Sequence, residues 1–348
     1  MQSSANALAA ILALVADPEA AEALSPLGDH GLAVLPVDEA GAVREMVDRL
    51  QPGGPILIGV DEAGAVPEGL TDMFDVLLTT APSPPRPWVE AQGGALGGAV
   101  SAVAARVRER PMAASIFASV LRLGESLSFS QALILESLAY SALLGGGDFR
   151  QWRAAEPLRS ALPPDRDFVR IERRGDVVVI TLSRPEARNA IRARLRDDLV
   201  AALRFAEADR SISAIELRGD GPVFSAGGDL DEFGQASDLA MAHIVRTQRS
   251  PVRLVRALGE RLTVFIQGAA IGGGIEIAAA AARVIGGPEA VFRLPEVGMG
   301  LLPGAGGTAS MPRRIGRHRT AFMGLTGFDI DAVRALDWAL VDRVEPIG

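Results

Sequence analysis

The sequence predicts an α/β layered fold built from repeated strand-strand-helix units, with a helical segment and a small α/β region placed in front. Three observations carry this. Over residues 1–92, short apolar runs bounded by Gly, Pro and Asp alternate with helical pieces. From Gly97 to about Ala155, apolar residues recur at three- and four-residue spacing. From Phe168 onward, strand pairs are followed by helices, the pattern of a layered α/β domain. Proline clusters at Pro82–Pro87 and at Leu162-Pro163-Pro164 cannot continue a helix or a ladder. They divide the chain into 1–92, 93–164 and 165–348.

Taken in order, Ala5–Leu24 reads as a helix broken near Asp17-Pro18, and Gly31–Pro36, Pro55–Val60 and Phe74–Thr80 as buried strands. Val100–Arg110, Ala113–Leu123 and Ser130–Leu143 are predicted helices, the first two separated by Pro111. Phe168–Glu172 and Asp176–Ser183 form a predicted hairpin turning at Arg174-Gly175. Arg192–Ala208 is a predicted helix, Ala214–Arg218 a strand, Ala240–Leu258 one helix and Thr263–Gln267 a strand. Gly274–Ala282 is expected to be helical and Arg283–Ile285 extended.

Composition narrows the chemistry. The 348 residues are 48 % hydrophobic, enough for a sizeable core. A net charge of -8 argues against a nucleic-acid partner and against adhesion to an anionic membrane. The chain has no cysteine and no lysine, which excludes thiolate nucleophiles, Cys-zinc sites and lysine Schiff bases. His30, His243 and His318 have no metal-ligand spacing, so no metal is expected. The apolar run Ala7–Ala16 has no basic residue ahead of it and is shorter than a membrane span, so a cytoplasmic protein is expected. Carboxylates, backbone amides and arginine remain as the functional inventory.

Three segments could use them. In Phe224–Leu230 a strand ends in small residues, and Asp229 stands where a helix could be capped. This is either a tight turn or a place where the bare amide of Gly228 faces a ligand. In Gln267–Glu276 three glycines precede an alanine-rich helix. They serve either close backbone packing or an oxyanion at the helix start. Glu276 falls in the first turn, where the helix dipole favours a carboxylate. In Phe292–Thr308 the glycines lack the spacing of a dinucleotide fingerprint, and Glu296 after Pro295 reads equally as a surface residue.

Together these segments resemble the crotonase (enoyl-CoA hydratase/isomerase) superfamily from about Phe168 to Pro346. The markers are Ser183–Ala190, Ser225–Leu230, Ile271–Glu276, Leu294-Pro295-Glu296, Pro303–Thr308, Leu325-Thr326-Gly327 and Ala339–Val344. Each is weak alone, and their order makes the set strong. The resemblance implies a crotonase-like spiral fold and an enoyl-CoA hydratase. A double-bond isomerase, another enolate-forming acyl-CoA enzyme and a non-catalytic CoA-binding protein are the alternatives. It implies Glu276 and Glu296 as the acid/base pair, and the amides of Gly228 and Gly273 as the oxyanion hole. It implies that Ala187, Ala226, Asp229, Leu230, Ile271 and Gly272 line the path of the substrate and its coenzyme A. No separate cofactor is implied, and the expected assembly is a homo-oligomer, a trimer or hexamer.

The ends depart from the family pattern. The helices that close the site of ordinary members are expected after Val341–Pro346, where this chain reaches Gly348. A similar stretch stands instead before the core, as Ser126–Leu133, Glu136–Tyr140 and Gly147–Arg150. Residues 93–164 are therefore expected to be a relocated lid, and residues 1–92 a decayed crotonase half without the glycine triplet. A chain beginning at Gly93 is expected to stay soluble and active, provided residues 1–92 are not needed for assembly, and one beginning at Asp165 is not.

Overall fold

The computed structural model describes residues 13, 15, 17, 22–49, 53–65, 69–91, 95–157 and 167–348. Most of the helix expected over 5–24, and the Leu162-Pro163-Pro164 joint, lie outside them. The first region is a four-stranded parallel sheet in sequential order: β1 (Leu32–Pro36), β2 (Ile56–Val60), β3 (Val76–Thr79) and β4 (Val89–Glu90), with helix α1 (Ala40–Arg49) between β1 and β2. Its central strands are nearly continuous apolar runs, as expected of a sheet buried on both faces. Leu57 and Leu77 pack with Phe74 and Trp88 on one side, while Ile56, Ile58, Val76 and Leu78 join the main core on the other.

Four helices follow: α2 (Leu96–Glu109), α3 (Pro111–Gly124), α4 (Phe129–Leu144) and α5 (Gly147–Ala155). Pro111 occupies the first turn of α3, where its missing N–H costs nothing. A capping box opens α4: Ser128 Oγ accepts from the Gln131 amide, and Gln131 Oε1 accepts from the Ser128 amide.

The second half begins with the predicted hairpin, β5 (Val169–Arg174) against β6 (Val177–Leu182). Then come α6 (Ala193–Ala208), β7 (Ala214–Gly219), α7 (Leu239–Gln248), α8 (Pro251–Leu258), β8 (Leu262–Ile266), β9 (Ala269–Ile271), α9 (Gly273–Ala278) and β10 (Arg283–Gly286). The chain continues through β11 (Val291–Arg293), α10 (Gly307–Ile315), α11 (Arg317–Thr326), β12 (Ile330–Asp331), α12 (Ala332–Asp337) and β13 (Arg343–Val344). A six-stranded sheet runs β13-β10-β8-β7-β6-β5, parallel except at the hairpin. A small sheet, β12-β11-β9, stands apart from it.

Three expectations need correction. The helix foreseen over 240–258 is two, because Pro251 cannot donate into the preceding turn and Ser250 caps a new start. The helix after the glycines ends at Ala278, earlier than the expected Ala282. Asp229 caps no helix; turns follow it, and the next helix starts at Leu239 under the cap of Asp238.

Candidate active site

The site is assembled where three glycine-rich turns meet. At the first, Ile191 donates to the Gly227 carbonyl at 2.7 Å and Asp229 donates to the Ile191 carbonyl at 3.0 Å. This bridge uses the residues flanking Gly228, so the amide of Gly228 itself points away from it. Gly227 has φ +86°, and a Cβ there would lie 2.7 Å from the Ile271 carbonyl oxygen. Only glycine allows the two turns to approach so closely.

The second turn starts α9. Gly273 is the first helical residue, so its amide has no acceptor within the helix. A Cβ on Gly273 would lie 3.9 Å from the Gly228 nitrogen, so the two glycines are neighbours across the turns. Gly272 has φ +47°, and a Cβ there would lie 2.1 Å from Glu296 Oε1. The first two turns therefore meet at these two glycines, and Glu296 lies against Gly272.

The third turn, Gly304–Thr308, leads into α10 and is clasped by two buried glutamates. Glu276 Oε2 accepts from the amides of Ala305 at 2.7 Å and Gly307 at 2.9 Å. Glu136, from α4, takes the alternate amides: Gly306 donates to its Oε1 at 2.7 Å and Thr308 to its Oε2 at 2.8 Å. The Thr308 hydroxyl also donates to that oxygen, at 2.8 Å. Glu136, Glu276 and Glu296 are 2 %, 1 % and 7 % exposed, so three carboxyls share one dry site.

Their electrostatics differ. Burial pushes Glu276 up to about 7, opposed by its two amide donors. Burial and the charge on Glu276 push Glu136 up to about 8 against three donors. Burial and Glu276 hold Glu296 well above the ordinary range, and its buried Oε2 has no hydrogen-bond partner. A carboxyl with a free buried oxygen beside another carboxylate is the one that holds a proton. Glu276, fixed by two N–H donors, is the better anion.

The segments expected along coenzyme A lie at one edge of this centre. Asn189 Nδ2 donates to the carbonyls of Asp220, Val223 and Phe224, and its Oδ1 accepts from the Arg184 amide. Ala226 donates to the Arg188 carbonyl, so the loops carrying Ala187 and Ala226 are joined. Asp229 is engaged with Arg184 at 2.7 Å, and the Leu230 carbonyl accepts from Arg153 at 2.8 Å. Ile271 donates to the Ser225 carbonyl, which ties the first turn to the second.

Glu136 was read from sequence only as part of the lid-like stretch Glu136–Tyr140, not as a site residue. The signal was present: Leu133, Glu136, Tyr140 and Leu143 follow helical spacing, so a charged residue stood on the face that packs inward. Tyr140 lies over Gly304, Phe149 over Gly234, and Arg110 donates to the Gly298 carbonyl. Helix α4 thus reaches the third turn directly, and α5 and Arg110 pack on the neighbouring loops.

Residues 172–347 match the enoyl-CoA hydratase/isomerase family. The chain is 37 % identical over 176 residues to 2,3-dehydroadipyl-CoA hydratase of Escherichia coli K12, covering 51 % of this chain and 68 % of that protein. It is 35 % identical over 174 residues to a probable enoyl-CoA hydratase of Rhizobium meliloti, covering 50 % and 67 %. A crystal structure of enoyl-CoA hydratase from Thermoplasma volcanium aligns over 52 % of this chain and 73 % of that one, at 33 % identity and a TM-score of 0.49. With half of the chain matching the family and a relative of 37 % identity covered over 68 % of its length, the chain belongs to the enoyl-CoA hydratase/isomerase family.

Proposed function

We propose that this enzyme adds water across the double bond of a 2-enoyl-CoA thioester, with Glu276 and Glu296 as its acid/base pair. The supporting observation is their joint burial beside the neighbouring glycines Gly228 and Gly273. Ionised Glu276 takes a proton from water as the hydroxyl oxygen bonds to the β-carbon. The π electrons move toward the thioester oxygen, where the two amides stabilise the growing charge. One such donor is worth about 3 kcal/mol of barrier. Glu296 then gives its proton to the α-carbon, and one proton passing from Glu276 back to Glu296 restores the pair. Coenzyme A is part of the substrate, and the proposal includes no further cofactor.

Residues 93–164 belong to the reading as a lid on their own chain. What supports this is the reach of Glu136, Tyr140, Phe149 and Arg153 to the turns of the site. Residues 1–92 are read as a second crotonase half, supported by the sequential parallel order of β1 to β4. A trimer or hexamer is part of the proposal too. Ile134 and Leu138 on α4, and Met241 and Ile244 on α7, are exposed apolar residues that a neighbouring subunit could cover. No helix among the described residues is long and apolar enough to cross a membrane.

The test is the loss of conjugated absorbance from enoyl-CoA thioesters. Glu276→Gln and Glu296→Gln are each expected to lower kcat by roughly 10²–10⁴-fold with little change in CoA affinity, because the amide keeps shape and removes proton transfer. Near-wild-type turnover in either variant contradicts the assigned role.

A further inference from the structure

A cavity of about 100 Å³ lies between α4, α7, α8 and the third glycine turn. It begins at the oxyanion hole: Ile191 and Ala305 line it, and both lie within 3.4 Å of a Cβ built on Gly273. Its walls continue as Leu133, Pro251 and Ile277, all apolar. One water needs about 10–15 Å³ by the same measure, so the space suits a chain of roughly seven to ten heavy atoms.

Arg246 lines this cavity too. It is half-buried, and no carboxylate of the described residues forms an ion pair with it. Its Nε donates to Ser137 Oγ at 3.1 Å, and Nη2 donates to the Ser137 carbonyl at 3.1 Å and to Ser141 Oγ. The ring of Tyr140 lies 4.9 Å from the guanidinium carbon. These contacts fix the plane of the group, while Nη1 has no hydrogen-bond partner among the described residues. The carboxylate that acts on Arg246 electrostatically is Glu136, whose oxygens already accept from three donors. Arg196 and Arg249 also line the cavity and share the single carboxylate of Asp197. Glu136 lines the cavity as well, so three arginines face two carboxyls, Asp197 and Glu136, and the balance on this wall stays positive.

We propose that Arg246 is a specificity residue that receives a carboxylate at the distal end of a short acyl chain, so that the preferred substrates are ω-carboxyacyl thioesters. This rests on the acyl-CoA reading above and deepens it. A guanidinium held in plane, with the N–H groups of Nη1 unused, is a fixed cationic donor for a carboxylate oxygen. A methyl-ended chain of the same length would leave that cation desolvated and unpaired.

The experiment compares adipyl-CoA with hexanoyl-CoA, saturated ligands of equal length, by titration calorimetry, and then their 2-enoyl counterparts by turnover. The wild type is expected to bind adipyl-CoA at least about tenfold more tightly, and Arg246→Met to erase that preference. Arg246→Lys is expected to keep part of it, because charge remains without the fork. Circular dichroism checks that each variant is folded. Equal wild-type affinity for the two ligands overturns the proposal. So does an equal loss for both in Arg246→Met, which would assign the cation to coenzyme A phosphates or to the fold. The calorimetric result stands without turnover. Absence of hydration of either enoyl thioester would therefore sink the hydratase reading while leaving the carboxylate preference measured.

Discussion

The four-stranded sheet and the six-stranded sheet both carry parallel strands flanked by helices. The first is apolar on both faces, whereas the second ends in the antiparallel, largely exposed β5 and buries alternate residues of β7. The first sheet and the small β12-β11-β9 sheet differ at the carboxyl ends of their strands, where open α/β sheets place ligands. After β2 and β3 the loops satisfy themselves. Asp61 Oδ2 accepts from the Ala65 amide, and Thr79 Oγ1 donates to the Glu62 carbonyl. After β9 and near the end of β11 the turns run through glycines, and buried carboxyls stand beside them. Parallel scaffolding alone makes no site; amides released from side-chain caps and crowded by carboxyls do.

What the first sheet supplies is carbonyl oxygens. Arg317 on α11 donates to the carbonyls of Phe74 and Asp72, each at 2.6 Å, and Arg319 donates to those of Trp88 and Pro84. His318 is bonded to the Thr71 carbonyl. In return, Arg122 of α3 pairs with Asp75, which is 2 % exposed. The largest effect therefore comes from removing residues 1–92. A chain beginning at Gly93, expected from the sequence to stay active, is now expected to be insoluble. Arg317 and Arg319 would lose their buried acceptors, and the core face of α2 and α3 would be bared. Expression followed by sedimentation decides this, and a soluble, folded product would break the comparison. A milder form is Arg122→Ala, which leaves buried Asp75 with only the longer pair to Arg317 at 3.9 Å and the Leu57 amide at 2.9 Å, and should cost roughly 1–3 kcal/mol in denaturant unfolding.

The next effect concerns the turns of the second half. Gly272→Ala places a methyl where Glu296 Oε1 lies and asks alanine to hold φ +47°. Turnover is expected to fall by about 10²-fold or more while CoA affinity changes little, since a misplacement of about 1 Å is enough for such a loss. The same change at Gly53, in the turn before β2 with φ +82° and nothing within 4 Å of the added methyl, strains that turn but should leave turnover near wild type. Equal kinetics in the two variants would show that Glu296 is not held where its proton is needed.

Up to β10 the secondary structure of the second half was legible because most elements carry a local signature. Apart from the break at Pro251, the early end of α9 at Ala278 and the short β9, alternation and helical spacing placed the strands and helices within a residue or two, while the elements after β10 were not read. The two glutamates and the glycine amides were legible because resemblance ties them to order along the chain. The docking of the first sheet was not. Its partners are separated by more than 225 residues, as Arg317 is from Phe74 and Arg319 from Trp88. Nothing local marks an arginine on a helix as buried. Asp229 misled for the opposite reason: a good capping residue was present, but its carboxylate is engaged by Arg184. Glu136 lay between these cases, visible as a charge on an apolar face but without a partner until α10 was placed beside it.

The smallest expected effect is a slope of stability with pH, and Glu136 makes it specific. Carboxyls whose folded pKa lies above the unfolded value hold extra protons in the folded state. Stability therefore falls as pH rises from the unfolded pKa through the folded one. With Glu276 raised to about 7 and Glu136 to about 8, chiefly by burial, the window runs from about pH 4.5 to about pH 8. The fall should be on the order of 3 kcal/mol for a single carboxyl shifted by about 2.5 units. Glu136→Gln removes one of the three titrating groups. It is expected to lose stability at pH 5, because the side-chain amide cannot accept from both Gly306 and Thr308. It should regain part of that loss by pH 8, where the wild type holds an additional buried charge. Denaturant unfolding of both proteins from pH 4.5 to 8 measures the two slopes. Parallel slopes would mean that Glu136 is ionised throughout, clasping the turn as a permanent anion, and that the steepness belongs to Glu276 and Glu296 alone.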